Sequence, residues 1–288
     1  MITYIVGGGR FSDVRFMPSL AGAVILPDPK KTLLFKNRNM QTSSHIDELF
    51  YDIDYFGVQG IDNATGTVGG LAIGVNRYGL VIANTHVRNT PDPSYYLLTE
   101  QLLMFAKNAE DGLSMTVDQL NKDRCYQWGN LILADDDSML VIELAGSDHS
   151  IEWSERRVLR TNHHIMLDTE QILMGGKSGY DSSVKRVERG YDLIRQVARV
   201  ENVFSLLKDH GEAQGQESLC RHATREKDYA TTMSYLVEVD HNTESGKPKI
   251  VFHVAKGNPC QSEFTAIPII FPADEEIMNR VSQLYPKE

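Results

Sequence analysis

Short runs with every second position apolar alternate along the chain with blocks in which apolar residues return at helical spacing. Residues 2–6 read as a strand that stops at Gly7-Gly8-Gly9, and 24–26 and 32–35 flank the turn Pro27-Asp28-Pro29 as a hairpin. A second pair, 67–75 and 80–84, is joined by Asn76-Arg77-Tyr78-Gly79, whose glycine supplies the positive φ of a tight connection. After Pro91-Asp92-Pro93, Ser94 is suited to cap a helix in which Leu97, Leu98, Gln101, Leu102 and Phe105 build one broad face. A shorter helix is expected at 117–124. Strands at 131–133 and 139–142 flank Asp135-Asp136-Asp137-Ser138, and 151–153 with 157–159 form a further pair. Asp181 is suited to cap a helix with Val184, Val187, Tyr191, Ile194 and Val197 on one stripe, and another helix runs over 202–208. The polar stretch 211–219 reads as a mobile loop, and strands near 232–239, 249–255 and 263–270 close the chain. Strands in hairpin-like pairs with helices grouped between them predict an α+β fold: antiparallel sheets covered by helices, in one domain.

Composition adds limits. With 288 residues, 41% hydrophobic and 24% charged, the chain can bury a core of its own. A net charge of −10 argues against a phosphate-tracking nucleic-acid partner. No apolar stretch approaches the ~18 residues of a membrane span, and no leader-like pattern opens the chain, so a cytoplasmic protein with no membrane partner is expected. Cys125, Cys220 and Cys260 are odd in number and lack metal-ligand spacing, so neither a disulfide framework nor a metal site is expected.

Four motifs look chemical and read better as structure. Gly7-Gly8-Gly9 is followed by a stretch with Pro18 and no helical spacing, which a dinucleotide fingerprint requires. Gly176-Lys177-Ser178 lacks the first glycine of a phosphate loop, since Gln171 stands there. Asp135-Asp136-Asp137 is a hairpin tip without the glutamate that completes a calcium loop. His163 and His164 are adjacent, with no partner ligand at helical spacing. No cofactor is therefore expected.

The remaining motifs form an ordered set: Gly22-Ala23-Val24, Arg38-Asn39-Met40-Gln41, Gly74-Val75-Asn76-Arg77-Tyr78-Gly79-Leu80 and Arg160-Thr161-Asn162-His163. Weaker members are 129–135, 182–186, Lys208-Asp209-His210, Cys220-Arg221-His222 and Gly257-Asn258-Pro259-Cys260. In this order, over about residues 20–270, the chain resembles the acyl-coenzyme A:6-aminopenicillanic acid acyltransferase family. These are relatives of the choloylglycine hydrolases within the N-terminal nucleophile (Ntn) superfamily. The resemblance implies a four-layer αββα sandwich of two antiparallel sheets. It also implies self-cleavage that exposes a nucleophile whose own α-amine acts as base. Carried over by position, Ala23 falls on the nucleophile, Arg38 on the arginine lining it, Gln41 on an aspartate that orients the amine, and Asn162 on a catalytic asparagine. Asn84 is an oxyanion-hole candidate, and Asn39 and His163 are candidates for substrate binding. Residues 1–22 then resemble a propeptide and 23–288 a single Ntn-hydrolase-like domain.

Two positions depart from the family pattern. An alanine methyl cannot attack a carbonyl, and Gln41 lacks the carboxylate charge. Ser19 lies four residues before Ala23, and a cut ahead of it would shift the register of a strand, flipping side chains unless the shift is even. The three cysteines read as core or partly buried thiols. The expectation is an amide hydrolase or acyltransferase for a small acylated amine or amino acid, in a form without its nucleophile, engineered or natural. The alternative is a non-catalytic small-molecule-binding pseudoenzyme. Its partner is a small acylated amine or acyl donor, and a homo-oligomer is compatible with either reading.

Overall fold

The computed structural model describes residues 18–41, 47–61, 68–169, 176–226 and 228–286. The expected strand at 2–6, Gly7-Gly8-Gly9, Gln171 and all but the last residues of the propeptide-like segment lie outside the described residues. Sheet one contains β1 (Ser19–Pro27), β2 (Lys30–Met40), β10 (Arg157–Arg160), β11 (Ala230–Asp240), β12 (Lys249–Lys256) and β13 (Thr265–Ile269). Sheet two contains β3 (Leu49–Tyr51), β4 (Tyr55–Ile61), β5 (Val68–Asn76), β6 (Val81–Arg88), β7 (Tyr126–Ala134), β8 (Met139–Gly146) and β9 (Asp148–Ser154). The spatial orders are β10-β1-β2-β11-β12-β13 and β3-β4-β5-β6-β7-β8-β9, with antiparallel neighbours throughout. The helices are α1 (Tyr95–Phe105), α2 (Ala109–Leu120), α3 (Gly176–Ile194), α4 (Val200–Leu207) and α5 (Glu275–Leu284).

Strand alternation sorts the side chains into layers. Ala21, Ala23 and Leu34 of sheet one meet Val75, Ala83 and Ile132 of sheet two in the inter-sheet core. Leu20, Leu33 and Phe35 point the other way, onto Val187, Ile194, Val203 and Leu206 of α3 and α4. On the far side, Ile82, Leu131 and Leu133 pack on Leu98 and Leu102 of α1. The result is the αββα sandwich expected from the resemblance. Each large apolar side chain buried this way contributes about 1.5–3 kcal/mol. Because β1 and β2 are covered on both faces, their residues are almost all buried, and a simple polar-apolar alternation is lost.

The expected turn at Asn76 forms, and its asparagine does more than turn the chain. Asn76 Oδ1 accepts from the N–H groups of Tyr78 and Leu80, while Nδ2 donates to the carbonyls of Leu103 and Ala106 at the end of α1. Ser94 caps α1 as expected, accepting from Tyr96 N–H at 3.2 Å. The helix expected at 117–124 overlaps only the last four residues of α2, which starts earlier, behind an Asn108 cap on Asp111 N–H, and ends at Leu120. Gly112 obscures that start; a Cβ there would stand 2.5 Å from a Leu133 methyl. Asp181 lies inside α3 rather than ahead of it. The 211–219 stretch is tied down: Gln216 Nε2 donates to the carbonyls of His222 and Tyr229, and Ser218 Oγ donates to that of Ala213 at 2.9 Å, with the His210 carbonyl 3.3 Å away. Among the described residues, no helix is long and apolar enough to cross a membrane.

Candidate active site

At one end of the inter-sheet space, the first residue of β1 sits opposite Arg38 of β2. Paired residues of an antiparallel ladder point to the same face, so Ser19 and Arg38 share the inter-sheet side with Ala21, Lys36 and Tyr235. Every backbone group around Ser19 is held. Its N–H donates to Asn162 Oδ1 at 2.9 Å, and its carbonyl accepts from Arg186 Nη1 at 3.0 Å. The carbonyl of Pro18, just ahead of it, accepts from Asn39 N–H at 3.2 Å. Arg186 Nη2 also donates to Asn162 Oδ1 at 2.9 Å, and Asn162 Nδ2 donates to the His86 carbonyl at 2.7 Å. Asn162 thus links β1, α3 and β6 around a single peptide bond.

Two cations line the same face. Arg38 Nε lies 2.9 Å from Asp47 Oδ1, with both side chains buried. Burial works against the Arg38 charge, but the Asp47 carboxylate together with Tyr96, Tyr235 and Tyr95 raises its pKa above the ordinary value. Tyr235 Oη donates to Asp47 Oδ2 at 2.6 Å and lies 3.4 Å from Tyr285 Oη; burial first, then Asp47, raises the Tyr235 phenol well above its ordinary range. Lys36, one pleat along, donates to the Asn84 carbonyl of sheet two. Burial, with Arg38 adding to it, brings the Lys36 amine down to about 7 against the pull of Asp47. Arg38 Nη2 is buried and makes no hydrogen bond among the described residues.

Behind Asn162, the Ser183 hydroxyl of α3 is a hub. It accepts from Asn162 N–H at 2.7 Å and meets Thr161 Oγ1 at 2.9 Å and His163 Nδ1 at 2.8 Å. Burial, then the charges of Arg186 and Arg160, lowers His163 to about 4, so the ring that meets Ser183 is neutral. Glu143 of β8 fixes the next turn, accepting from the N–H groups of Ile165, Met166 and Leu167 at 2.8–3.0 Å and from Arg160 Nε at 3.1 Å. Burial opposes the Glu143 charge, but these donors hold its pKa below the ordinary carboxylate range.

Of the residues expected in the site, Arg38 and Asn162 meet there. The others do not. Ala23 lies in mid-strand, paired with Val158 and Leu34 and fully buried in the inter-sheet core, four residues along β1 from the serine that Asn162 holds. At about 3.3 Å per residue that separates them by roughly 13 Å. Gly22 is small for packing: a Cβ there would stand 2.5 Å from the Phe35 ring and 2.8 Å from the Val158 carbonyl oxygen. A domain boundary between residues 22 and 23 would therefore cut a strand paired on both sides. Gln41 lies exposed past the end of β2, and the buried carboxylate beside Arg38 is Asp47. Asn84 turns its side chain toward α1, donating to the Leu71 carbonyl and Thr99 Oγ1. Asn39 also faces away, accepting from Thr231 Oγ1, so only its backbone N–H serves the site. His163 supports Asn162 from behind through Ser183.

The sequence reading passed over Ser19, Asp47, Lys36 and Arg186. A signal for Ser19 existed: four residues is an even step, so Ser19 and Ala23 share a face and the register argument against Ser19 fails. Arg186 stands inside the 182–186 motif and Lys36 two residues ahead of the Arg38 motif, while Asp47 carries no local signal.

Comparison with known proteins agrees with this architecture. The family model for acyl-coenzyme A:6-aminopenicillanic acid acyl-transferase matches residues 28–244. That span begins just after β1 ends and is silent on Ser19 and Ala23 alike. A mutant conjugated bile acid hydrolase from Clostridium perfringens superposes with TM-score 0.54 at 11% identity, covering 87% of this chain and 92% of that one. Penicillin V acylase from Agrobacterium tumefaciens gives 0.53 at 12%, covering 87% and 86%. At such identities the likeness is one of fold. No curated protein sequence matches the chain. With three quarters of its length matched and the two-sheet sandwich in place, the chain belongs to the acyl-coenzyme A:6-aminopenicillanic acid acyl-transferase family and carries the Ntn-hydrolase fold.

Proposed function

We propose that the protein is an amide C–N hydrolase or acyltransferase of the N-terminal nucleophile type, with Ser19 as nucleophile. The observation that carries this reading is the clamp on the Pro18–Ser19 peptide by Asn39 N–H and Asn162 Oδ1. First, Ser19 Oγ attacks the Pro18 carbonyl carbon, and its proton passes to the departing Ser19 nitrogen, so the amide becomes an ester. Water then hydrolyses the ester, leaving a carboxyl on Pro18 and a free α-amine and hydroxyl on Ser19. Residues 1–18 are the propeptide in this scheme and 19–288 the working domain.

The new amine keeps its hydrogen bond to Asn162 Oδ1, which orients its lone pair to take the Oγ proton. Arg38 and Lys36 on the same face favour the neutral, basic form by charge repulsion. Asn39 N–H, released from Pro18, then donates to the oxyanion formed on an acylated amine; one such donor is worth ~3–4 kcal/mol. Arg38 Nη2 suits a carbonyl or carboxylate of that substrate. The substrate class is a small acylated amine or amino acid, whose acyl group passes to water or to another amine.

Intact-mass measurement tests this. Wild type and Ser19→Cys are expected to yield a chain beginning at residue 19, and Ser19→Ala to remain whole. Ala23→Cys, confined between Leu34 and Val158, is expected to add no second cut. A wild-type chain that stays whole and binds acylated amines without releasing the amine would instead be a non-catalytic binding protein, and the proposal would fall.

A further inference from the structure

We infer that His210, Cys220, His222 and Cys260 bind a structural zinc ion. Their four ligand atoms lie within 4.8 Å of one another. The two sulfurs are 3.6 Å apart, the two Nε2 atoms 3.0 Å, and His222 Nε2 lies 3.3 Å from Cys260 Sγ and 3.7 Å from Cys220 Sγ. A tetrahedral zinc, with bonds of about 2.3 Å to sulfur and about 2.0 Å to nitrogen, sets those edges at about 3.8 Å between sulfurs, about 3.3 Å between nitrogens and about 3.5 Å between unlike atoms. These four edges already lie within about 0.3 Å of the tetrahedral values, and the whole set stays within 4.8 Å. Two soft thiols with two imidazoles select zinc over calcium or magnesium, which take oxygen ligands. All four positions come from the protein, so the site is closed and its role is structural.

The local chain is built to bring these groups together. His210 follows α4, Cys220-Arg221-His222 precedes β11, and Cys260 lies within the turn closed by Gln261 N–H on the Asn258 carbonyl after β12, just past Gly257 at φ +79°. Asn258 Nδ2 points at Cys220 Sγ from 3.6 Å while also donating to the Arg221 carbonyl, an N–H donor of the kind that steadies a metal-bound thiolate. Arg221, between two of the ligands, donates through its N–H to Thr231 Oγ1 and through Nη2 to Ser182 Oγ, next to the Ser183 hub. The ion would therefore fasten the end of α4 to β11 and β12 and brace α3 behind Asn162. The spacing hid it, because His210 lies twelve residues before His222 and Cys260 thirty-eight after it.

Metal analysis of the full chain, purified without a metal-affinity tag, tests the site. The expected result is stoichiometric zinc, released when a mercurial blocks the thiols. Cobalt substitution is expected to give the strong visible bands of a tetrahedral thiolate site, with a thermal midpoint several degrees lower after chelation. His210→Gln, at a ligand that is only partly buried, is expected to fold yet lose zinc more readily. A folded protein that holds no zinc even when supplied with it, or one whose Cys220 and Cys260 are joined as a disulfide, overturns the inference.

Discussion

Lys36 shows how much one buried group can set. Its amine lies at about 7 in the folded chain, held down by burial and by Arg38, against about 10.4 in an unfolded one. Between those values the unfolded chain binds a proton that the folded chain does not, so stability rises with pH across that window. Lys36→Met is expected to abolish the rise. Urea midpoints at about pH 6 and about pH 9 measure it: the wild type gains on going to the higher value, and the variant stays level. At this scale the site was half legible. Arg38 and Asn162 stand in recognisable motifs, whereas Ser19 was set aside for a glycine-alanine pair whose smallness serves the Phe35 ring. Asp47 reaches Arg38 from beyond the end of β2, and no spacing rule connects the two.

Elements matter here as anchors for single residues. Glu143, on β8 of sheet two, holds Arg160 at the end of β10 and the three N–H groups that follow the Thr161-Asn162-His163 segment. Glu143→Leu strands those donors and leaves the buried Arg160 with Glu152 as its carboxylate partner. Breaking a buried pair of this kind costs about 3–5 kcal/mol, and the loss is expected in urea unfolding together with slower cleavage ahead of Ser19, through displacement of Asn162. Most elements could be read from pattern, including the Asn76 turn and the Ser94 cap. Those that could not were of two kinds. β3 and β4 carry aromatic and glycine residues without clear alternation, and α5 shows mostly polar positions, with Val281 buried against the inter-sheet core.

For the molecule as a whole, acid should act in two stages with the same sign. His163, lowered to about 4, leaves the unfolded chain binding the extra proton as pH falls from about 6.5, so stability drops through that window. Glu238, lowered to about 2 chiefly by its hydrogen bond with His253 and then by Lys31 against burial, continues the loss from the ordinary glutamate range downward. His163→Gln is expected to flatten the first stage, roughly 3 kcal/mol at most, and leave the second unchanged, as followed by thermal midpoints across that range. The layered architecture was the most legible feature, because hairpin pairing and grouped helices admit few arrangements. The zinc cluster was the least, since it draws on three separate stretches of chain. One contact made before any substrate arrives has a last implication. Asn39 N–H is occupied by Pro18 while residues 1–18 remain attached. On the proposed chemistry, the leader is thus the first guest of its own pocket: a freshly made molecule is idle by construction, switches on once, and has no way back.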